Sequence, residues 1–217
     1  MSLSDTTVAI IGTGNIGSRL AANFAAGGQD FLLASRDLEG ASKLAADLGG
    51  HAKVVSVDEA VERAGVLVFA VWIDSFKQLI AQYGDKLAGK VIIDPTNAIG
   101  PDGAGGYHKL IGDQESSGEI LAGLLPAGAR LVKAFGTVSA ATLSTAAWRE
   151  PERAVQFYAA DDAAAGDLAA ELIRADGYEP VSVGGLDQSI RIEMFGDLHE
   201  FGALGRVVTK PEALAAI

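Results

Sequence analysis

The chain has 217 residues, of which 49% are hydrophobic, 21% charged and 6% aromatic, and its formal net charge is -11. This length suits one large α/β domain, or a domain with a small closing lobe. The negative charge argues against a nucleic-acid partner, because phosphate contacts need clustered Lys and Arg. The absence of cysteine excludes disulfides and thiolate metal sites.

No apolar run is long enough for a membrane span, and the longest candidate, Ala64–Ile73, is interpreted as a buried strand. Residues Met1–Thr7 are polar and lack the basic flank and apolar centre of a signal peptide. We therefore expect a cytoplasmic protein with no membrane partner.

Short apolar runs alternate with amphipathic stretches along the chain, which predicts βαβ units in an α/β fold with a doubly wound, mainly parallel sheet. The predicted strands are Thr7–Ile11, Phe31–Ala34, Lys53–Ser56, Val66–Val71, Val91–Ile93, Arg130–Ala134, Ala154–Ala159 and Glu179–Val183. The predicted helices run from about Asn15 to Ala26, Leu38 to Leu48, Val57 to Ala64, Asp74 to Tyr83, Gly118 to Leu125, Ala163 to Ala175 and Leu186 to Leu204.

Two segments fall outside this alternation. The glycine-rich segment 100–106 follows the fifth predicted strand, and it is either a loop at the border of a ligand crevice or a solvated connector. The stretch after Arg206 is too short for a domain, and we expect a loose tail.

The last predicted helix carries an apolar stripe at helical spacing. Its members are Ile190, Met194, Leu198 and Phe201. The stripe is interpreted first as a core face and second as a two-fold dimer contact.

A glycine motif follows the first predicted strand directly. Its sequence is Gly12-Thr13-Gly14-Asn15-Ile16-Gly17. In a G-x-G-x-x-G turn, Gly12 permits the tight bend, Gly14 lets the backbone approach a pyrophosphate, and Gly17 lets the helix pack close to the sheet. Free N–H groups and the helix dipole attract the phosphates. The motif predicts a Rossmann-type dinucleotide site, with a purely structural glycine turn as the alternative.

The second predicted strand ends in Ser35-Arg36, where NAD enzymes usually place an acid for the ribose 2′-hydroxyl. A hydroxyl and a guanidinium suit the 2′-phosphate of NADP instead. Asp37 is interpreted as the N-cap of the next helix. We therefore predict a NADP-binding domain over residues 1–134, and over 135–217 a small C-terminal lobe that completes the sheet and forms the cleft.

The sequence offers no Ser-His-Asp triad, paired carboxylates or histidine-rich metal cluster, so we predict neither a catalytic side chain nor a metal. His51, His108 and His199 are scattered and are interpreted as surface or helix-end residues.

Three residues at predicted strand ends have two interpretations each. Lys133 is either a proton donor to a carbonyl or imine, or a lysine that extends out beside the sheet. Trp72 is either a wall for a flat ring or packing between lobes. Asn97 either faces the nicotinamide carboxamide, with Thr96 sharing that task, or caps a turn.

Further segments carry a family resemblance. They are Asp94-Pro95-Thr96-Asn97, Ser117-Gly118, Leu124-Leu125-Pro126, Val132-Lys133-Ala134-Phe135, Gly185-Leu186 and Arg191-Ile192-Glu193. Together with the glycine motif and Ser35-Arg36, they make the chain resemble the NADP oxidoreductase family that depends on coenzyme F420, to which the cytoplasmic domain of the STEAP metalloreductases is related. The resemblance extends over nearly the whole chain.

The resemblance implies a homodimer and hydride exchange between NADPH and a deazaflavin in a cleft between lobes. It assigns Thr13–Ile16 to the pyrophosphate, and Ser35 and Arg36 to the 2′-phosphate. Along the nicotinamide half it places Ala70, Val71, Trp72 and Ala134.

The sequence departs from the family pattern at two positions. Gly40 stands where archaeal members have a lysine, with Lys43 one turn away as a substitute, and Gly136 stands where many bacterial relatives have Asn. A deazaflavin with an acidic tail also needs cationic contacts, for which the candidates are Lys109, Arg149 and Arg191.

Three functions are compatible with these observations. The first is a NADP-dependent oxidoreductase acting on a deazaflavin or flavin-type acceptor, for which orientation of two flat rings matters more than an acid or base. The second is an NADPH-dependent reductase of a small oxo-acid or imine that uses Lys133 as acid. The third is a NADP-binding sensor without turnover. Length weighs against the second, because relatives of that kind carry a helical substrate domain.

Overall fold

The computed structural model describes residues 2–217, in which a large sheet carries helices on both faces. The strands are β1 Val8–Ile11, β2 Phe31–Ala34, β3 Ala52–Val55, β4 Val66–Phe69, β5 Val91–Asp94, β6 Ile99–Pro101, β7 Tyr107–Lys109, β8 Arg130–Ala134, β9 Val155–Ala160 and β10 Glu179–Ser182. The helices are α1 Asn15–Ala26, α2 Leu38–Ala46, α3 Val57–Arg63, α4 Ile73–Tyr83, α5 Ser117–Ala122, α6 Ala140–Thr145, α7 Ala163–Ala175, α8 Ser189–Ile192 and α9 Lys210–Leu214.

Eight strands form the large sheet in the order β10-β9-β8-β5-β4-β1-β2-β3. Neighbours pair in parallel except β8 and β9, which are antiparallel. Strands β1, β2, β4 and β5 are buried on both faces, which explains their continuous apolar sequence. The predicted α/β fold with a mainly parallel sheet is confirmed, and each predicted strand overlaps one of these eight.

Strands on either side of residue 134 belong to the same sheet, because β8 ends at Ala134 and pairs with β9. The predicted division into domains 1–134 and 135–217 stays a prediction.

The segment 100–106 is not a simple connector. Ile99–Pro101 and Tyr107–Lys109 form an antiparallel hairpin, β6–β7, outside the large sheet. Asp102 Oδ1 accepts from the backbone N–H groups of Ala104 and Gly106, both at 2.8 Å, and so shapes the turn of the hairpin.

The predicted last helix, Leu186–Leu204, is wrong. A short 3-10 turn leads into α8, which ends at Ile192, and the chain then continues without regular structure. Phe195 has a φ of +74°, and a Cβ atom at Gly196 or Gly202 would lie 2.3 Å or less from a backbone oxygen. The backbone therefore folds tightly on itself. We call residues 193–204 the strap.

The apolar stripe predicted for that helix does not exist as a single face. Leu198 is buried, whereas Phe201 is 59% exposed, and Met194 and Phe201 line the cavity described below. The stripe is therefore divided between the core, which contains Leu198, and the cavity wall, which contains Met194 and Phe201.

The expectation of a loose tail is also wrong. Helix α9 begins with a capping box between Thr209 and Glu212, and Ala213 is buried. The backbone N–H of Val155 donates to the carbonyl of Val208 at 2.9 Å, which attaches the tail to the first residue of β9.

Lys133 on β8 is fully buried in a polar network. Its Nζ donates to Asp94 Oδ2 at 2.9 Å, to Ser117 Oγ at 3.0 Å and to the carbonyl of Thr96. Glu193 Oε1 lies 3.7 Å away. The interpretation of Lys133 as a lysine extending out beside the sheet is therefore wrong, and its three N–H groups already have acceptors.

Glu193 completes this network at the amino end of α5. Its carboxylate accepts from Ser116 Oγ at 2.9 Å, Ser117 N at 3.0 Å and Gly118 N at 2.9 Å. Burial alone raises the pKa of Glu193, but the charge of Lys133 and these hydrogen bonds outweigh it and hold the pKa below its ordinary value. The strap is thus anchored to α5 through a charged group.

Replacing Lys133 tests how much the network stabilises the fold. Lys133→Met leaves the carboxylates of Asp94 and Glu193 buried without their cation, so the free energy of unfolding should fall by about 3–5 kcal/mol in urea denaturation. Lys43→Met is the control, because Lys43 pairs with Glu39 on the surface, where both side chains are more than three quarters exposed. Equal stability of the two variants would contradict this account.

Candidate functional site

A cavity of about 900 Å³ opens at the carboxyl ends of β1, β2, β4 and β5, where open parallel sheets bind ligands. Most of the predicted site residues line it. They are Gly12, Thr13, Gly14, Asn15, Ile16, Ser35, Arg36, Ala70, Val71, Trp72 and Asn97. Gly17 and Ala134 are buried behind the wall and do not line the cavity.

The turn between β1 and α1 requires glycine at two positions. Gly12 has a φ of +110°, and a Cβ atom there would lie 2.3 Å from the carbonyl oxygen of Ala70. A Cβ atom at Gly17 would lie 1.9 Å from the carbonyl oxygen of Gly12. These contacts hold α1 close to the sheet beside β4.

The first turn of α1 is open towards the cavity. Gly14 is the N-cap, and within residues 2–217 no side chain accepts a capping hydrogen bond there. Helix α1 therefore presents backbone N–H groups and the positive end of its dipole at the cavity wall. This arrangement fits a pyrophosphate.

The end of β2 joins this turn through Ser35. Its Oγ accepts from Thr13 Oγ1 at 3.1 Å and from the backbone N–H of Asp37 at 3.2 Å. Asp37 Oδ1 accepts from Gly40 N at 2.9 Å, which confirms Asp37 as the N-cap of α2. Arg36 lies between them, is exposed, and lines the cavity.

Trp72 lies at the N-cap of α4, where the chain leaves β4. Its side chain is 65% exposed and lines the cavity. This exposure contradicts packing between two parts of the chain, and it leaves the indole ring free to contact a ligand.

Asn97 connects three segments. Its Nδ2 donates to the carbonyl of Gly136 at 3.0 Å, and its Oδ1 accepts from the backbone N–H of Met194 at 2.7 Å. The amide thus joins the β5 loop to the β8 loop and to the strap, which neither interpretation of Asn97 predicted.

The sequence interpretation missed several residues of the wall. They are Ile99, Tyr107, Phe135, Val138, Ser139, Ala140, Met194, His199 and Phe201. Phe135 follows β8 directly and has a φ of +63°, a strained conformation that its packing holds in place, with the Phe24 ring centroid 6.1 Å away. Its position at a strand end was the available signal. The sequence carried no such signal for the strap residues, because their apolar spacing predicts a helix.

His199 is buried at the cavity wall, so its interpretation as a surface residue is wrong. Burial lowers the pKa of its imidazole to about 4, although Glu200 and a hydrogen bond to the Gly136 backbone act in the opposite direction. The ring is therefore neutral at pH 7. Its Nδ1 accepts from the backbone N–H of Phe201 at 3.0 Å, which fixes the tautomer.

Two other observations concern the described part of the chain. Across residues 2–217, His, Asp and Glu form no group of three or more that could hold a metal ion. No helix in that range has the length and apolar character needed to cross a membrane.

The sequence comparisons with known proteins indicate one family. The family described as NADP oxidoreductase coenzyme F420-dependent matches residues 7–98. The F420-dependent NADP reductase of Methanothermobacter thermautotrophicus is 32% identical over 198 residues, which cover 86% of this chain and 84% of that protein.

Two solved structures are similar over nearly their whole length. A hypothetical protein from Sinorhizobium meliloti is 32% identical with a TM-score of 0.82, covering 95% of this chain and 97% of that one. A protein of Arthrobacter sp. FB24, proposed to be an F420-dependent NADP reductase, is 22% identical with a TM-score of 0.73, covering 93% and 96%. At that identity the second shows the shared fold alone.

Two alanine variants separate the glycines that shape the turn from the one that faces the cavity. Gly17→Ala should lower the melting temperature, because its methyl group meets the Gly12 carbonyl. Gly14→Ala should melt like the parent chain, since nothing lies within 4 Å of the added Cβ, and should weaken NADPH binding by filling the cavity. Calorimetry measures both properties, and unchanged NADPH affinity in Gly14→Ala would argue against a pyrophosphate there.

Proposed function

The chain belongs to the coenzyme F420-dependent NADP oxidoreductase family, and from this we propose that it transfers hydride between NADPH and a deazaflavin such as coenzyme F420, or a flavin-type acceptor. It is an NADP-dependent oxidoreductase enzyme. The observation that supports the finer proposal is that one cavity extends from the open first turn of α1 to a wall of exposed aromatic rings.

We assign the pyrophosphate of NADP to the segment Thr13–Ile16 and its 2′-phosphate to Ser35 and Arg36. Support comes from the uncapped helix turn and from the exposed guanidinium beside it. The carboxylate next to Arg36 in sequence, that of Asp37, accepts from Gly40 N as the α2 N-cap. The carboxylate of Asp58, which lines the cavity, accepts from Tyr83 Oη at 3.0 Å. Lys43 pairs with Glu39 and does not line the cavity, so the assignment depends on Arg36.

We assign the nicotinamide to the part of the cavity between Ala70–Trp72 and the loop that follows β8. When bound, NADPH supplies a hydride and the acceptor takes up that hydride with a proton from solvent, which balances two electrons. The chain's own contribution is orientation: Phe135 and Val138 form an apolar wall, and Asn97 and the neutral His199 fix the backbone around them. No side chain needs to move a proton.

The other functions considered from the sequence receive less support. Reduction of an oxo-acid or imine would require Lys133 to donate a proton to the substrate. Lys133 does not line the cavity, and its N–H groups already have acceptors. A sensor without turnover does not agree with relatives named as reductases. The homodimer implied by the family resemblance stays a prediction.

Arg36→Ala tests the choice of NADP. Loss of a charge-assisted hydrogen bond to the 2′-phosphate should raise the Kd for NADPH about 10- to 100-fold and leave the Kd for NADH unchanged. Fluorescence titration of both nucleotides provides the measurement, and Arg63→Ala, on α3 and away from the cavity, is the matched control. A parent chain that prefers NADH would remove the basis of the assignment.

Oxidation of NADPH, followed by the loss of its absorbance, tests the reaction itself. We expect turnover with deazaflavin and flavin acceptors and none with a panel of oxo-acids or imines. Turnover with an oxo-acid alone would contradict the proposal, and tight NADPH binding without any acceptor would favour the sensor.

A further inference from the structure

We propose that the acceptor end of the cavity selects a planar ring and provides no site for an anionic tail, so that the protein prefers an acceptor without phosphate or carboxylate substituents. The acceptor end comprises Trp72, Ile99, Tyr107, Met194 and Phe201, all of which line the cavity. This inference rests on the proposed function and narrows its substrate class.

Three aromatic side chains dominate the acceptor end. Trp72, Tyr107 and Phe201 are 65%, 49% and 59% exposed although they border a cavity. They come from separate parts of the chain: the start of α4, strand β7 and the strap. Large apolar surfaces left open on a cavity wall mark a ligand contact, and aromatic faces favour a flat conjugated ring.

The positively charged side chain of the cavity wall lies at the end opposite to the acceptor end. Among the described residues that line the cavity, Arg36 is the only lysine or arginine, and His199 is neutral. Arg36 follows β2, which is separated from β5 by β1 and β4. At the usual spacing between strands, this places the two strand ends roughly 14 Å apart. The guanidinium that serves the 2′-phosphate therefore does not serve the acceptor.

The three cations that a tail would need are not available at this end. Lys109 follows Tyr107 on the hairpin, but its Nζ donates to three backbone carbonyls of the loop 112–115 at 2.7 to 3.3 Å. Arg191 forms a two-pronged ion pair with Asp197, with distances of 2.9 and 3.1 Å. Arg149 does not line the cavity.

The net charge of the whole chain also disfavours an anionic acceptor. With a formal net charge of -11, the surface repels an anionic substituent that leaves the cavity. Salt screens this repulsion, since the Debye length falls to about 3 Å at 1 M ionic strength. The preference for an uncharged acceptor should therefore be largest at low salt.

Two matched pairs of acceptors test the inference. Riboflavin and FMN differ by one phosphate. The ribityl deazaflavin without a tail and the tailed coenzyme share the same ring system. We expect kcat/KM for NADPH oxidation to be about threefold or more higher for the member without the anion at low salt, with the difference disappearing at high salt. A preference for the charged member that weakens with salt would overturn the inference. No turnover with any of the four would overturn the proposed function and this inference with it.

A charge placed at the acceptor end should reverse the preference. Tyr107 lines the cavity on β7 and is 49% exposed, so a lysine fits there. In Tyr107→Lys, the ratio of kcat/KM for FMN to that for riboflavin should rise about tenfold at low salt. Ala26→Lys adds the same charge at the far end of α1 and should leave the ratio unchanged. If Tyr107→Lys and Ala26→Lys behave alike, the acceptor does not bind at this end and the inference is wrong.

Discussion

The ammonium group of Lys133 holds together the loop after β5, the start of α5 and the start of the strap, all beside the cavity. It lies between β8 and β5, contacts the first residue of α5, and is accompanied by Glu193 at the start of the strap. A charge removed from water is tolerated only where its hydrogen bonds and its counter-charges are complete. Both oxygens of Asp94 are used as well, since Oδ1 accepts from the backbone and side chain of Thr96. The network therefore fixes the loop after β5 in one conformation.

From that anchor, the strap closes one side of the cavity. Glu193 caps α5, Met194 bonds to Asn97, and the backbone N–H of Glu200 donates to the carbonyl of Thr137 at 3.0 Å. The Glu200 carboxylate also accepts from Ser139 N at the start of α6. Polar contacts thus fix the strap on several sides, and the Phe201 side chain remains free to face the cavity. Such a wall suits a reaction in which two rings need to be positioned and no proton needs to be delivered.

The sequence determined the parts of the molecule that depend on neighbouring residues. Short apolar runs located all eight strands of the large sheet, most clearly the four that are buried on both faces. The glycine turn was readable because its requirements are steric and local: Gly12 has a positive φ, and Gly17 faces the Gly12 carbonyl. Ser35, Arg36 and Trp72 could be predicted as cavity residues for a second reason. Residues at the carboxyl ends of parallel strands collect at one edge of the sheet.

Only the tertiary structure decided the course of the strap and the roles of Lys133, Asn97 and His199. Residues 186–204 have helical periodicity, but a contact distant in sequence overrides it, because the Glu193 carboxylate accepts from Gly118 N on α5. Gly196 then packs against the carbonyls of the neighbouring α8. Lys133 carries no local sign that its partners come from β5 and α5. Local sequence therefore determined the glycine turn and the strand ends at the cavity, whereas long-range hydrogen bonds, which no short window contains, decided which residues form the wall beside the strap.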